Sequence, residues 1–221
     1  MSSRRCRRWA ATWITFTLAC AGLLTQTGCM GLVANLVHAT GADKVPAAYD
    51  GLKGSRVAIV TVTENGMFQD DISARILGRN VTQWLKENVK KVEVVREEKI
   101  TDWRDTHGWD QIDFTDIGRG VDAEKVVGIE VANLKLRDGA TLYRGRADVE
   151  VKVIDVSTGE VVYRHTLEDF TYPETAGQYT SETTESRFRK LYLGILAKRV
   201  ARQFYPYDYH EDFALDSIVA R

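Results

Sequence analysis

Arg146–Val156 reads RADVEVKVIDV, and after Ser157-Thr158-Gly159 the chain returns through Glu160–Phe170, EVVYRHTLEDF. In the first run Ala147, Val149, Val151 and Val153 share one face, while Asp148, Glu150 and Lys152 share the other. A period of two, with apolar and charged residues so separated, marks a strand with one face in a core and one in water. A short Gly-containing link between two such runs predicts an antiparallel hairpin.

Upstream, Val57-Ala58-Ile59-Val60-Thr61-Val62 is a β-branched run without alternation, which predicts a strand covered on both faces. Glu64-Asn65-Gly66 closes it with turn chemistry. Asp70 and Asp71 suit the positive end of a helix dipole. Ile72, Ile76, Leu77, Val81, Trp84 and Leu85 then recur at helical spacing, which predicts an amphipathic helix over 71–88. Val92–Val95 reads as a second short strand. The acidic stretch from 97, punctuated by Ile100, Trp103 and Trp109, reads as a short helix and a loop. Residues 113–120 read as a helical turn or two, and Ala123–Val131 as another strand. Downstream of the hairpin, Pro173 and Gly177 break the chain, and Ser181, Thr183 and Thr184 offer capping hydroxyls. Phe188, Leu191, Tyr192, Ile195, Leu196, Val200 and Phe204 mark a long helix that Pro206 ends. This order predicts an α/β fold: a single domain with a mixed sheet of about five strands, ending in a long antiparallel hairpin and flanked by helices.

The chain has 221 residues, of which 28% are charged, and its formal net charge is −1. Three prolines and 17 glycines exclude a collagen-like or Pro/Gly-rich disordered chain. Arg4, Arg5, Arg7 and Arg8 precede position 29 and no acid does. The segment from Cys29 onward therefore holds 26 basic residues against 31 acidic ones. A mildly acidic body without a basic, aromatic-studded face predicts no nucleic-acid partner.

The four arginines are followed by Trp9 to Gly28 without a charge, the order of an export signal. The basic end stays on the cytoplasmic side while the apolar run enters the bilayer. That run ends Leu24-Thr25-Gln26-Thr27-Gly28-Cys29, which resembles a bacterial lipobox, where small residues precede a cysteine that becomes acylated. Thr27 and Gly28 fit, and Gln26 departs from the leucine-like residue usual there. Thr17-Leu18-Ala19-Cys20 competes less well because Leu18 is large. Lipidation is therefore expected at Cys29. Met30 after it, in place of Asp, favours the outer membrane by the same resemblance. Two alternatives stand beside this. Residues 9–28 just span ~30 Å of hydrocarbon as an uncleaved anchor, or cleavage releases a soluble exported protein. The cysteines are Cys6, Cys20 and Cys29, so the body beyond them has no disulfide, thiolate metal site or cysteine nucleophile.

The apolar strand, the helix, VEVVREEKI (92–100), IGRGVDAEKVVGIEV (117–131) and VEVKVIDVSTGEVV (149–162) occur in an order that resembles one envelope superfamily. It includes the curli-secretion lipoprotein, the lipoprotein activators of penicillin-binding proteins and the N-terminal domain of the Tol translocation protein. The likeness runs over roughly residues 55–204 and is strongest at the Asp155-x-x-Thr158-Gly159-Glu160 turn. There Asp155 is expected to accept backbone hydrogen bonds, Gly159 to take a positive φ and Glu160 to restart the strand. Gly118 and Asp122-Ala123 match the helix-to-strand corner. No long alternating insertion of the kind that lines a secretion pore is present. The resemblance implies a periplasm-facing, non-enzymatic adaptor on a lipid tether. The organisation expected is a signal peptide at 1–28, a lipidated tether at 29–54, the α/β adaptor domain at 55–205 and an aromatic tail at 206–221.

Chemistry-bearing residues are sparse. Of His38, His107, His165 and His210, only His107 has carboxylates nearby, at Asp105, Asp110, Asp113 and Asp116. The last three recur every third residue, but no calcium-loop pattern accompanies them, so a plain acidic surface is expected, with no metal and no cofactor. A periplasmic hydrolase built on this loop is the enzyme alternative. Asp70 and Asp71 are explained by the helix dipole, and no phosphate-loop glycine pattern occurs. Trp103, Trp109, Tyr205, Tyr207 and Tyr209 are the candidate partner contacts, because exposed aromatics make good contact residues. The partners expected are the membrane, through acyl chains, and another envelope protein or a second copy of the chain.

Overall fold

A computed structural model describes residues 44–64, 71–109 and 112–208. The signal segment, Cys29, Asn65, Gly66, Asp70, Asp110, Tyr209 and His210 lie outside the described residues. In chain order the elements are β1 (Lys44–Val45), β2 (Arg56–Thr63), α1 (Ile72–Asn88), β3 (Glu93–Val94), α2 (Glu97–His107), α3 (Phe114–Gly120), β4 (Lys125–Asp138), β5 (Leu142–Asp155), β6 (Val161–Tyr172), β7 (Gln178–Tyr179), α4 (Glu185–Ala201), a 3-10 turn (Arg202–Phe204) and β8 (Tyr207–Asp208). The main sheet runs β3-β2-β4-β5-β6, with β7 paired to β5, and β1 and β8 pair separately. β2 is parallel to β3 and β4, and β4, β5 and β6 form an antiparallel meander. The fold class is the mixed α/β sheet with helical flanks that the pattern predicts.

The absence of alternation in β2 has a direct cause. Val57 and Ile59 point into one core with Leu77, Val81 and Leu85 of α1 and Phe188, Tyr192 and Leu196 of α4. Ala58, Val60 and Val62 point into a second core with Ile100 of α2, Ile117 of α3, Val126 and Val156. Each such Val, Leu, Ile or Phe side chain contributes ~1.5–3 kcal/mol by leaving water. α1 and α4 pack on the first face, and α2 and α3 pack on the second, over β2, the start of β4 and the end of β5. Farther out on that second face Lys152 Nζ reaches Glu130 at 2.9 Å and Glu150 at 2.7 Å, and Arg164 also pairs Glu150. The alternation of β5 is this half-covered face written in sequence.

The structure differs from expectation at four places. β4 extends to Asp138, beyond the strand expected to end at Val131, and makes a second hairpin with β5. The register shifts between Ala132 and Lys135, where Asn133 has φ 54°, and a bulge of this kind erases the period of two. α2 is the short helix expected from 97, but its 11 residues run on to His107 and take in Trp103, leaving only Trp109 beyond its end; its buried residues are Ile100 and Arg104. On α1 the buried positions are Ser73, Leu77, Val81 and Leu85, whereas Ile72, counted on the apolar face, is 56% exposed. Finally, the end of the expected tether belongs to the body. Leu52 is fully buried, and Tyr49 stacks on Tyr163 at 5.2 Å while its N–H donates to Gln203 O.

Candidate functional site

The aromatic residues expected in one loop sit on different supports. Trp103 lies on α2, half-buried beside the second core, with its ring over Gly120 and stacked on the His107 imidazole at 4.2 Å. Trp109 follows the end of α2. Its indole N–H donates to Asp105 Oδ1 at 2.8 Å, and the Arg104 guanidinium lies 3.8 Å from its ring centre. Both indoles are half-buried and each keeps part of its ring at the surface.

The acids near His107 serve local structure. Asp113 caps α3 by accepting from Thr115 N at 2.8 Å and Asp116 N at 3.1 Å, and Asp116 pairs with Arg119. Asp105 is occupied by Trp109, and His107 Nδ1 lies 2.9 Å from both Trp103 O and Thr106 Oγ1. Among the described residues no three His, Cys, Asp or Glu side chains come together as a metal cage would require. His165 lies on β6, half-buried and away from these groups.

The Asp155–Glu160 turn is held by its own side chains. Asp155 Oδ1 accepts from Ser157 N at 3.0 Å and from the Ser157 hydroxyl, Gly159 N donates to Asp155 O, and Glu160 N donates to Thr158 Oγ1 at 3.2 Å. Gly159 has φ 75°, and β6 starts at Val161. The Ser157 hydroxyl and the Lys125 ammonium hold the Asp155 carboxyl well below the usual carboxylate range. At the other corner Gly118 packs so closely that a Cβ there would stand 2.5 Å from Val156 Cγ2, and Asp122 takes φ 57°.

The C-terminal tyrosines divide. Tyr205 is buried, so its ring is part of the core and not of the surface, which corrects the expectation of an exposed contact there. Tyr207 is half-buried beneath Arg202, whose guanidinium carbon lies 4.6 Å from the ring centre. Tyr209 lies outside the described residues. The side chain that sequence reasoning passed over is Arg104. It stands between the two tryptophans that attracted attention, and its burial pushes its guanidinium below the ordinary arginine value.

No family model matches the chain and no curated protein matches it. Solved structures do. The PelC dodecamer from Paraburkholderia phytofirmans is 13% identical, covering 72% of this chain and 93% of that one, with TM-score 0.39. Lipoprotein GNA1162 from Neisseria meningitidis is 8% identical over 65% and 96%, with TM-score 0.43. The LpoB C-terminal domain from Escherichia coli is 17% identical over 53% and 84%, with TM-score 0.36. These are likenesses of fold.

Proposed function

We propose that this protein is a bacterial envelope lipoprotein that acts as a non-enzymatic adaptor or assembly factor. The observation that carries the reading is the order at the N-terminus: four arginines, an uncharged run, and Thr27-Gly28-Cys29 at its end. Transfer of a diacylglyceryl group to the Cys29 thiol, followed by removal of 1–28 and acylation of the freed amino group, would give two to three fatty chains. At ~0.8 kcal/mol per buried methylene, more than one chain is what makes an anchor stable. The body is then confined to a membrane surface facing the periplasm, with the outer membrane favoured by Met30. Confinement raises its effective concentration toward a neighbouring envelope protein, or toward its own copies, without any new contact. The surface-exposed parts of Trp103, Trp109 and Tyr207, together with Tyr209, are the contact residues of this reading.

The test is metabolic labelling with radioactive palmitate in a bacterial host, compared with Cys29→Ser. Label in the native chain, none in the variant, and loss of the variant from the membrane fraction are expected. A native chain that takes no label and fractionates like Cys29→Ser sinks the reading. A mass that begins at intact Met1 would point instead to an uncleaved single span. Crosslinking in cells, followed by comparison of the native chain with one lacking 206–221, then asks whether the tail contributes to partner capture.

A further inference from the structure

A cavity of about 270 Å³ lies between α1 and α2. β3 pairs with β2 only at Arg56 and Val57, so no strand among the described residues covers the outer edge of Ile59, Val60 and Thr61, which line the cavity. Arg104 lines it too. This side chain is only 5% exposed, yet its buried Nη2 has no hydrogen-bond acceptor among the described residues. Thr61 Oγ1, pressed against α1 where Gly78 leaves room for it, is likewise buried and without a partner among the described residues. Lys86 and Arg96 line the same space and make no ion pair among the described residues. Of the acids that line it, Glu97 pairs Arg79 at 2.5 Å and Arg75 at 3.9 Å and Asp71 accepts from the Thr63 hydroxyl and Ser73 N, while exposed Glu98 makes no ion pair among the described residues. The lining cations Arg75, Arg79, Lys86, Arg96 and Arg104 still outnumber these three carboxylates.

A buried guanidinium with an empty donor carries the full desolvation penalty of that group. Stacking on Trp109 satisfies the ring face of the cation but supplies no acceptor. What the cavity lacks is a ligand with negatively charged oxygens. An arginine fork is the side chain suited to that geometry, and the free cations beside it supply attraction on approach.

We propose that this cavity binds a small soluble oxyanion, a carboxylate or a phosphate, with Arg104 as the buried recognition group, the Thr61 hydroxyl as a second donor, and Lys86 and Arg96 drawing the anion in. The assignment is independent of lipidation and goes beyond the adaptor reading.

The experiment uses the full chain in non-ionic detergent, with inorganic phosphate, succinate and chloride compared at matched ionic strength by thermal unfolding and by titration calorimetry. Phosphate or succinate is expected to raise the melting temperature beyond chloride, as ligands of the folded state do. Arg104→Met is expected to weaken that binding about tenfold or more, the usual scale for a charged hydrogen bond. It should itself melt no lower than the native chain, because it removes an unpaired buried cation. Arg96→Gln is expected to weaken binding a few-fold and to flatten its salt dependence. The proposal is overturned if neither anion outperforms chloride, or if Arg104→Met binds as the native chain does. Should Arg104→Met fail to fold, Thr61→Val and Arg96→Gln decide: unchanged affinity in both overturns the site. Protection by phosphatidylglycerol in the micelle, with no response to phosphate or succinate, would overturn the assignment to a soluble ligand.

Discussion

Lys125 Nζ lies 3.0 Å from Asp155 Oδ2, a cross-strand pair that joins the first residue of β4 to the last of β5. The same carboxylate holds the β5–β6 turn through Ser157. One side chain therefore ties the open end of the β4–β5 pair and holds the turn into β6.

Asp155→Asn keeps the shape of this group and removes its charge. The folded state holds the Asp155 carboxyl below its ordinary value, through the Ser157 hydroxyl first and Lys125 second. A carboxyl lowered in this way contributes stability above its unfolded value, ~3.9, and loses it as pH falls through the folded value. Asp155→Asn is thus expected to melt lower than the native chain at pH 7, with the gap closing below about pH 4. Melting temperatures recorded from pH 7 down to the acid limit of folding check this. A gap that is constant with pH would show that the charge does nothing.

Two glycines fail for different reasons. Gly159→Ala meets no close atom but must adopt φ 75°, so a loss of about 1–2 kcal/mol from left-handed backbone is expected. Gly118→Ala has ordinary backbone but drives its methyl to 2.5 Å from Val156 and 2.7 Å from Val126, so overpacking of about 1–3 kcal/mol is expected. Measured against Val156→Ala alone, Gly118→Ala should cost less than it does in the native chain, and Gly159→Ala should cost the same. Chemical denaturation of these variants distinguishes the two causes.

The buried face of α1 is set by Leu77, Val81 and Leu85. Leu77→Ala is expected to cost about 2–5 kcal/mol, while Ile72→Ala, at the exposed start of the helix, changes stability by under about 0.5 kcal/mol. Denaturant midpoints at constant slope report both. Equal losses would mean that the helix face is assigned wrongly.

Beyond α4 the chain still builds the core, because Phe204 is fully buried and meets Tyr49 and Tyr163 edge-on. Phe204→Ala is expected to destabilise by about 3–5 kcal/mol. A chain ending at Ala201 should fare worse than Phe204→Ala, since it also loses buried Arg202 and Tyr205. Circular dichroism melts of the two are sufficient.

The strands and long helices were legible wherever side chains met a core in a regular pattern: β5, α1 and α4 follow their periodicity, and β2 its unbroken β-branched run. Legibility failed where a local irregularity broke the period. The bulge at Asn133 hid the outer half of β4, and on α2 the buried Arg104 hid how far the expected short helix runs. The candidate surface divided in the same way. Trp103 and Trp109 stand out in any reading of composition, but nothing local reveals that one lies over Gly120 and the other against a guanidinium.

The residue order alone determined the alternating hairpin, the two-sided strand Val57–Val62, the capped helices and the arginine-then-uncharged order of the residues before Cys29. Each of these follows from interactions between residues close in sequence, or from solvent acting on one face at a time. Only the tertiary structure decided that β4 stands between β2 and the hairpin, that Tyr205 turns inward, and that Thr61 and Arg104 meet across one cavity. Those outcomes depend on which distant surfaces exclude water from each other, and burial of that kind has no signature within any short stretch of chain.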